Sequence, residues 1–284
     1  MPINDQLVAW LFATNALRVC PPDQPFWYTS GTIGPYYINS HFLYGSEESA
    51  NRLLQLIDVE KAHPYRCPRT VLEATRQHYA EDAIYRGVID MLCAFITERI
   101  DLAQVDAVSG GERRDWFFSL LAAELLGKPH ITIYKNLQAV MASDGQMADA
   151  GDLSGQRVLH IADLITEASS YERAWIPAIA SIGARLAWSV VIVDRKQGGD
   201  RLLASHGVES SAMLNIDQAL FANALAHGLI NDDQYRMILA YLADPKAAMK
   251  AFLAAHPDFL ANALQGDPKT RERAALCVEK GMYA

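Results

Sequence analysis

The chain has little that could serve as a covalent or metal framework. Only four cysteines, Cys20, Cys67, Cys93 and Cys277, occur in 284 residues, with no Cys-x-x-Cys pair and no histidine at ligand spacing. This excludes a disulfide scaffold or zinc cluster and suggests buried or free thiols in a reducing compartment. Positive charge is also short: 25 Lys and Arg against 33 Asp and Glu give a net charge of -8. Such a chain is no general binder of nucleic acid or of a membrane surface, although a local basic pocket for a phosphorylated small molecule stays open. No run of ~18 uncharged apolar residues occurs, and no basic segment leads into an apolar one at the N-terminus. A soluble, cytoplasmic protein is therefore expected.

The composition is 51% hydrophobic and 20% charged, which suits one sizeable globular domain with an appendage. Residues 3–19 carry apolar side chains at helical spacing, and 46–59 form a helix with Glu47 and Glu48 favourably placed in its first turn. Residues 69–99 have helical composition with Gly87 as the point of bending or breakage. Short apolar runs at 104–108, 130–134, 158–161 and 188–193 read as buried strands, and the helical segments between them require right-handed parallel crossovers. The expected fold class is α/β, a parallel sheet with flanking helices and a helical C-terminal extension. Residues 1–229 would form the α/β domain and 230–284 the extension, which is divided at Asp244-Pro245, His256-Pro257 and Asp267-Pro268 and expected to be dispensable. Residues 136–155, which include Asp144 and Gly145, show neither period and are expected to be a mobile loop, while 200–208 and 212–214 look like short edge elements.

Candidate site residues gather where the strands end, as ligands of such sheets do. The segment from Arg157 to Ser170 runs from a strand into Asp163, followed by Thr166, Ser169 and Ser170 before a helical stretch. Hydroxyls and backbone N–H groups at a helix start suit a phosphate. Gly110-Gly111 precedes another helix, and Arg113 and Arg114 add charge, although Glu-Arg-Arg-Asp also reads as a solvated helix start with internal ion pairs. Lys135 follows a strand, where it is either a ligand contact or a solvated strand-end charge. Asp163 could instead cap a turn, and His160 reads as a core histidine. The aromatics of 26–39 fit a packed hairpin as well as a ligand loop.

Residues 157–170 resemble the diphosphoribosyl-binding motif of the type I phosphoribosyltransferases, with Ala162 at the first acidic position and Ala168 at the usual loop glycine. Two flanking segments make the resemblance closest to orotate phosphoribosyltransferase. These are Tyr28-Thr-Ser-Gly-Thr-Ile-Gly-Pro-Tyr-Tyr-Ile-Asn39 and Val193-Asp-Arg-Lys-Gln-Gly-Gly199.

The resemblance implies transfer of phosphoribosyl from phosphoribosyl diphosphate to orotate or a related base, with Mg²⁺ bound mainly through the diphosphate. Lys135 and Asp163 would be catalytic, with Asp163 on the ribose hydroxyls. Thr166, Ser169 and Ser170 would receive the 5′-phosphate. Gly110, Gly111 and Arg113 would belong to the pyrophosphate loop. Arg195 would pair with the orotate carboxylate, and the backbone of Tyr36 and Tyr37 would hold the pyrimidine. A homodimer is implied as well. Thr29 and Gln138 stand where the family has lysine, and Glu167 adds negative charge to the phosphate loop. These departures keep a second reading open, a catalytically weak or inactive homologue that binds a nucleotide or pyrimidine in a regulatory role.

Overall fold

The structure is a computed structural model that describes residues 5–143 and 146–283. These residues form two compact units, one from 5–39 with 217–283 and the other from 40–216. In the first unit, helix α1 (Asp5–Ala13) buries Leu7, Val8 and Leu11 and stops before residue 17, so the helix expected over 3–19 is shorter. Strands β1 (Leu17–Val19), β2 (Phe26–Trp27), β3 (Ile33–Gly34) and β4 (Tyr36–Ile38) follow, with β1 antiparallel to β4 and β2 to β3.

The second unit opens with a buried 3₁₀ turn, Ser40–Leu43, and then α2 (Glu47–Glu60), whose Ser46 cap accepts the Ser49 N–H at 3.1 Å. Helices α3 (Cys67–Glu81) and α4 (Ala83–Arg99) part at Asp82, whose carboxylate accepts the Tyr85 N–H at 2.7 Å. The break thus follows an N-cap, and Gly87 lies inside α4. Next come β5 (Ala107–Gly111), the almost wholly buried α5 (Trp116–Leu125), β6 (His130–Ile133), β7 (Ala139–Ser143) and β8 (Gln146–Asp149). Strand β9 (Arg157–Ile165) leads through a π-turn, Tyr171–Trp175, into α6 (Ile176–Ser181), then β10 (Arg185–Asp194), α7 (Gly199–Ser205) and β11 (Glu209–Asn215).

One seven-stranded sheet results, in the order β11-β10-β9-β5-β6-β7-β8. Its first five members are parallel, and β7 and β8 add antiparallel at one side. The sheet is thus mixed, a parallel core with an antiparallel margin. Two expectations change here. Much of the segment expected to be a mobile loop is the β7–β8 pair, because Val140 and Ala139 are buried and β7 pairs with both neighbours; Asp144 and Gly145 lie outside the described residues. The edge element expected at 200–208 is helix α7, which buries Leu203.

The first unit resumes with α8 (Gln218–Ala226), α9 (Asp232–Ala243), α10 (Pro245–Ala255), α11 (Asp258–Leu264) and α12 (Pro268–Glu279). Prolines at the starts of α10 and α12 follow capping aspartates, as the Asp-Pro pairs suggest. Met249, Ala263, Ala274 and Cys277 close over Trp27 and Ile33. The position 229/230 therefore falls inside a compact unit, because the last four helices supply much of the apolar cover for residues 26–34. No helix among the described residues is long and apolar enough to cross a membrane.

Candidate functional site

Strands β5, β6 and β9 end side by side, and the turns that leave them enclose a polar pocket of about 380 Å³. Arg113, Lys135, Asp163, Thr166, Ser169 and Ser170 all line it, joined by Glu112, Arg114, Asp115 and Trp175. Residues separated by more than 50 positions thus meet because parallel strands present their carboxyl ends together.

The floor of the pocket is acidic and buried. Asp163, 7% exposed, accepts the Ser40 hydroxyl hydrogen at 2.7 Å, and its backbone N–H donates to Asp115 Oδ1 at 3.2 Å. Burial pushes the Asp163 carboxyl up to about 7; the Asp115 carboxylate adds to this, and the Ser40 hydrogen bond and Arg114 oppose it. Asp163 therefore does not face the cleft as an open carboxylate. Ser109 and His160 continue the buried polar chain, with Ser109 Oγ 2.9 Å from His160 Nδ1. His160 is fully buried in the core, as expected.

This environment has a consequence for stability. The native state holds a proton on Asp163 that the unfolded chain, near pKa 3.8, releases, so the contribution is full below about pH 4 and is lost as pH rises toward 7. Asp163→Asn is expected to remove that slope and to unfold at a higher temperature than wild type at pH 8, with the gap closing below pH 4. Thermal unfolding of both proteins across this range checks it, and parallel curves would count against a buried, protonated Asp163.

The cations are not equivalent. Arg113 is ion-paired with Asp58, and Lys61 lies between Asp58 at 2.8 Å and Glu112 at 3.6 Å. Arg114 and Lys135 are exposed at the rim, and the Lys135 N–H donates to Glu112 Oε2 at 3.1 Å. The hydroxyl loop turns through Ala168, whose φ of 58° is the left-handed conformation that glycine adopts without strain. Ser169 is partly engaged, since its carbonyl and hydroxyl accept from Arg173 at 3.1 and 3.3 Å.

The glycine pair is not a turn. Gly110 and Gly111 are the buried end of β5, and the turn is formed by residues 112–115. The Gly111 N–H is taken by Asp115 Oδ2 at 3.0 Å and the Gly110 carbonyl accepts from Trp116 Nε1 at 3.0 Å. A Cβ on Gly110 would stand 2.1 Å from Ser119 Oγ, and one on Gly111 2.3 Å from the Trp175 ring. Both glycines allow close packing under the pocket.

Arg195, at the end of β10, donates its N–H to Ile165 O at 3.0 Å but is not among the pocket-lining residues. Its side-chain Nε is buried without a hydrogen-bond partner among the described residues. Such an atom calls for an acceptor. Tyr36 and Tyr37 belong to the other unit. Tyr36 packs on Phe221, and its carbonyl accepts the Tyr28 hydroxyl at 2.5 Å, while Tyr37 pairs with Arg18 across β1 and β4.

No group of three or more His, Cys, Asp or Glu among the described residues is placed to hold an ion. Asp115 and Asp163 are turned toward N–H and O–H donors.

Sequence reasoning missed Ser40 and Asp115. Nothing near Ser40 signals a partner 123 residues away. Asp115 had one usable signal, its place as the acidic residue before a helix whose next eight side chains are all apolar or small and buried.

No protein-family model matches the chain. It is 34% identical over 91 residues to orotate phosphoribosyltransferase of Sulfurisphaera tokodaii, covering 32% of this chain and 46% of the relative. It is 33% identical over 119 residues to that of Pyrobaculum islandicum, covering 42% and 58%. The matches thus span about half the length of these curated relatives. Among solved structures, UMP synthase of Leishmania donovani superposes with a TM-score of 0.56 at 19% identity, over 84% of this chain and 42% of that one. Orotate phosphoribosyltransferase of Francisella tularensis does so with a TM-score of 0.51 at 14% identity, over 82% and 96%. Sheet order and these superpositions define the type I phosphoribosyltransferase fold. In sequence the chain is similar to orotate phosphoribosyltransferases over part of its length.

Proposed function

We propose that the chain transfers phosphoribosyl from phosphoribosyl diphosphate to orotate or a closely related base. The observation that carries the reading is the single pocket in which Arg113, Arg114 and Lys135 converge with the hydroxyls of Thr166, Ser169 and Ser170. In this reaction the bond from ribose C1 to a diphosphate oxygen breaks, and the diphosphate leaves with the electron pair. A bond from C1 to a ring nitrogen of the base forms, and the proton that this nitrogen carried passes to solvent. Positive charge grows on the ribose and negative charge on the leaving group, so placed charges do most of the catalysis. Arg114 and Lys135 would meet the diphosphate, the hydroxyl loop the 5′-phosphate, and Arg195 the carboxylate of the base. Magnesium would enter bound to the diphosphate and neutralise part of its charge; the residues around the pocket give no reason to place it elsewhere.

Lys135→Ala is then expected to lower turnover by about 10²-fold with little change in affinity for the base, since its charge acts on the leaving group. Single-turnover assays with a panel of bases measure this. An unchanged rate would remove Lys135 from the reaction.

A specific observation favours a second reading, a non-catalytic binder with a regulatory role. Asp163 is bonded inward to Ser40, Gln138 is bonded to Asp149 at 2.7 Å, and Arg113 is held by Asp58. Calorimetry separates the two, using orotate, orotidine monophosphate and phosphoribosyl diphosphate, with and without magnesium, on wild type and Arg195→Ala. The transferase reading expects donor binding with turnover, and orotate binding that Arg195→Ala weakens at least about 10-fold. Orotate binding without donor binding would favour the regulatory reading. No loss in Arg195→Ala would remove the assignment of the base. A homodimer is part of the proposal, and sedimentation showing only monomer at micromolar concentration would exclude it.

A further inference from the structure

The ladder between β5 and β9 stops early. Ala107, Val108 and Ser109 pair with Val158, Leu159 and His160, and no further pair joins the two strands, although β5 runs on to Gly111 and β9 to Ile165. Past Ser109 and His160 the strands splay, and the pocket opens between their ends.

One side chain spans the gap. Asp115, 8% exposed at the start of α5, accepts the Gly111 N–H on Oδ2 at 3.0 Å and the Asp163 N–H on Oδ1 at 3.2 Å. His160 Nε2 lies 3.3 Å from Oδ2, within ion-pair distance but off the hydrogen-bonding direction, so it has no hydrogen-bond partner of its own. A carboxylate thus stands where backbone pairing has ended, and it bonds one N–H from each strand.

We infer that Asp115 is a positioning residue that holds the two halves of the anion pocket at a fixed separation, the cationic turn after β5 on one side and the hydroxyl loop after β9 on the other. This deepens the proposed transferase reading and rests on it for the identity of the ligand. Its physical basis does not depend on that ligand. Two buried N–H donors otherwise lose their acceptor, and a carboxylate accepts both more strongly than a neutral amide can. An asparagine at 115 keeps one acceptor oxygen and puts an N–H₂ group opposite the other donor.

The groups that face this carboxylate come from several elements. His160 and Asp163 reach it from β9, Tyr171 from the π-turn, and Arg114 from the adjoining position in the turn. Ser40 acts through Asp163, and His41 lies near Arg113 and Arg114. Any pH-dependent behaviour of the clip reports on this set as a whole.

The test has two arms. In wild type, the amide protons of Gly111 and Asp163 should both exchange slowly with solvent, because both N–H groups bond the same buried carboxylate. Rapid exchange at either would overturn the inference without any variant. In the second arm, inorganic diphosphate binding is measured by calorimetry for wild type, Asp115→Asn and Asp115→Glu. Asp115→Asn is expected to weaken binding about 10- to 100-fold, since misplacement of contacts by about 1 Å has effects of that size. The two amides should lose protection together, and Asp163 should titrate at lower pH once the neighbouring negative charge is gone. Asp115→Glu should restore the protection while recovering only part of the binding. Equal affinity and unchanged amide exchange in Asp115→Asn would overturn the positioning role. Absence of diphosphate binding in wild type would instead overturn the transferase reading, and the amide exchange would still decide the clip.

Discussion

Ending the chain at Gly228 is expected to leave residues 5–39 unable to hold their native packing. The cut removes α9 to α12, and with them Met249, Ala263, Ala274 and Cys277, which cover Trp27 and Ile33. Trp27 stacks on Phe259 with ring centroids 5.7 Å apart, and Tyr36 packs edge-on against Tyr241 at 5.7 Å. Main-chain bonds go as well: Arg273 donates to the Trp27 carbonyl at 2.7 Å, and the Ile33 N–H donates to the Tyr283 hydroxyl at 2.8 Å. Exposing a large apolar side chain costs about 1.5–3 kcal/mol, and two-residue strands such as β2 and β3 cannot persist without that cover. Since a whole domain is stable by only ~5–15 kcal/mol, losing several such contacts is decisive for this unit. Trp27 fluorescence and limited proteolysis within 20–39 provide the measurement. A truncated chain with Trp27 buried and this segment protected would show that the C-terminal helices are dispensable after all.

Gly111→Ala is expected to damage both stability and anion binding. The added methyl would sit 2.3 Å from the Trp175 ring, far inside contact distance, so the ring or the strand must move. Overpacking of this kind typically costs about 1–3 kcal/mol and sometimes more, which for a chain of this size lowers the melting temperature by roughly 2–5 °C. Trp175 ends the π-turn that follows the hydroxyl loop, so displacing it shifts Ser169 and Ser170 as well. The double variant Gly111→Ala with Trp175→Val should recover much of the melting temperature by making room. If the single variant melts like wild type and binds diphosphate equally well, the close approach of strand and ring is not a constraint.

Much of the sheet could be read from the chain. The runs around Val108, Ile131, Leu159 and Val191 are short, branched and bounded by turn residues, so they declared themselves as buried strands. Glu47 and Glu48 marked the first turn of α2 by local charge alone, and Ser46 caps it. Other features depended on contacts that local pattern does not carry. Gly87 looked like a break because glycine is a poor helix former, yet Asp82 caps α4 and packing carries Gly87 through. Residues 139–149 are rich in Ala and Met, so no alternation marked them, and the pairing of β7 with β6 and of β8 with β7 decides the outcome. The pocket was legible residue by residue as far as Arg113, Lys135, Asp163, Thr166, Ser169 and Ser170. Its floor was not, because the Ser40–Asp163 and Asp115–Asp163 bonds join positions 123 and 48 apart.

The two margins of the seven-stranded sheet bear on solubility. An unpaired strand edge is a template for another chain, and proteins blunt such edges with short strands and charge. Strand β8 is four residues long, and its Asp149 carboxylate is tied to Gln138 at 2.7 Å and Tyr65 at 3.0 Å. At the opposite margin β11 begins Glu209-Ser-Ser, a polar lead that offers an incoming strand little apolar surface. Growth of the sheet from copy to copy by edge pairing is thereby disfavoured at both margins.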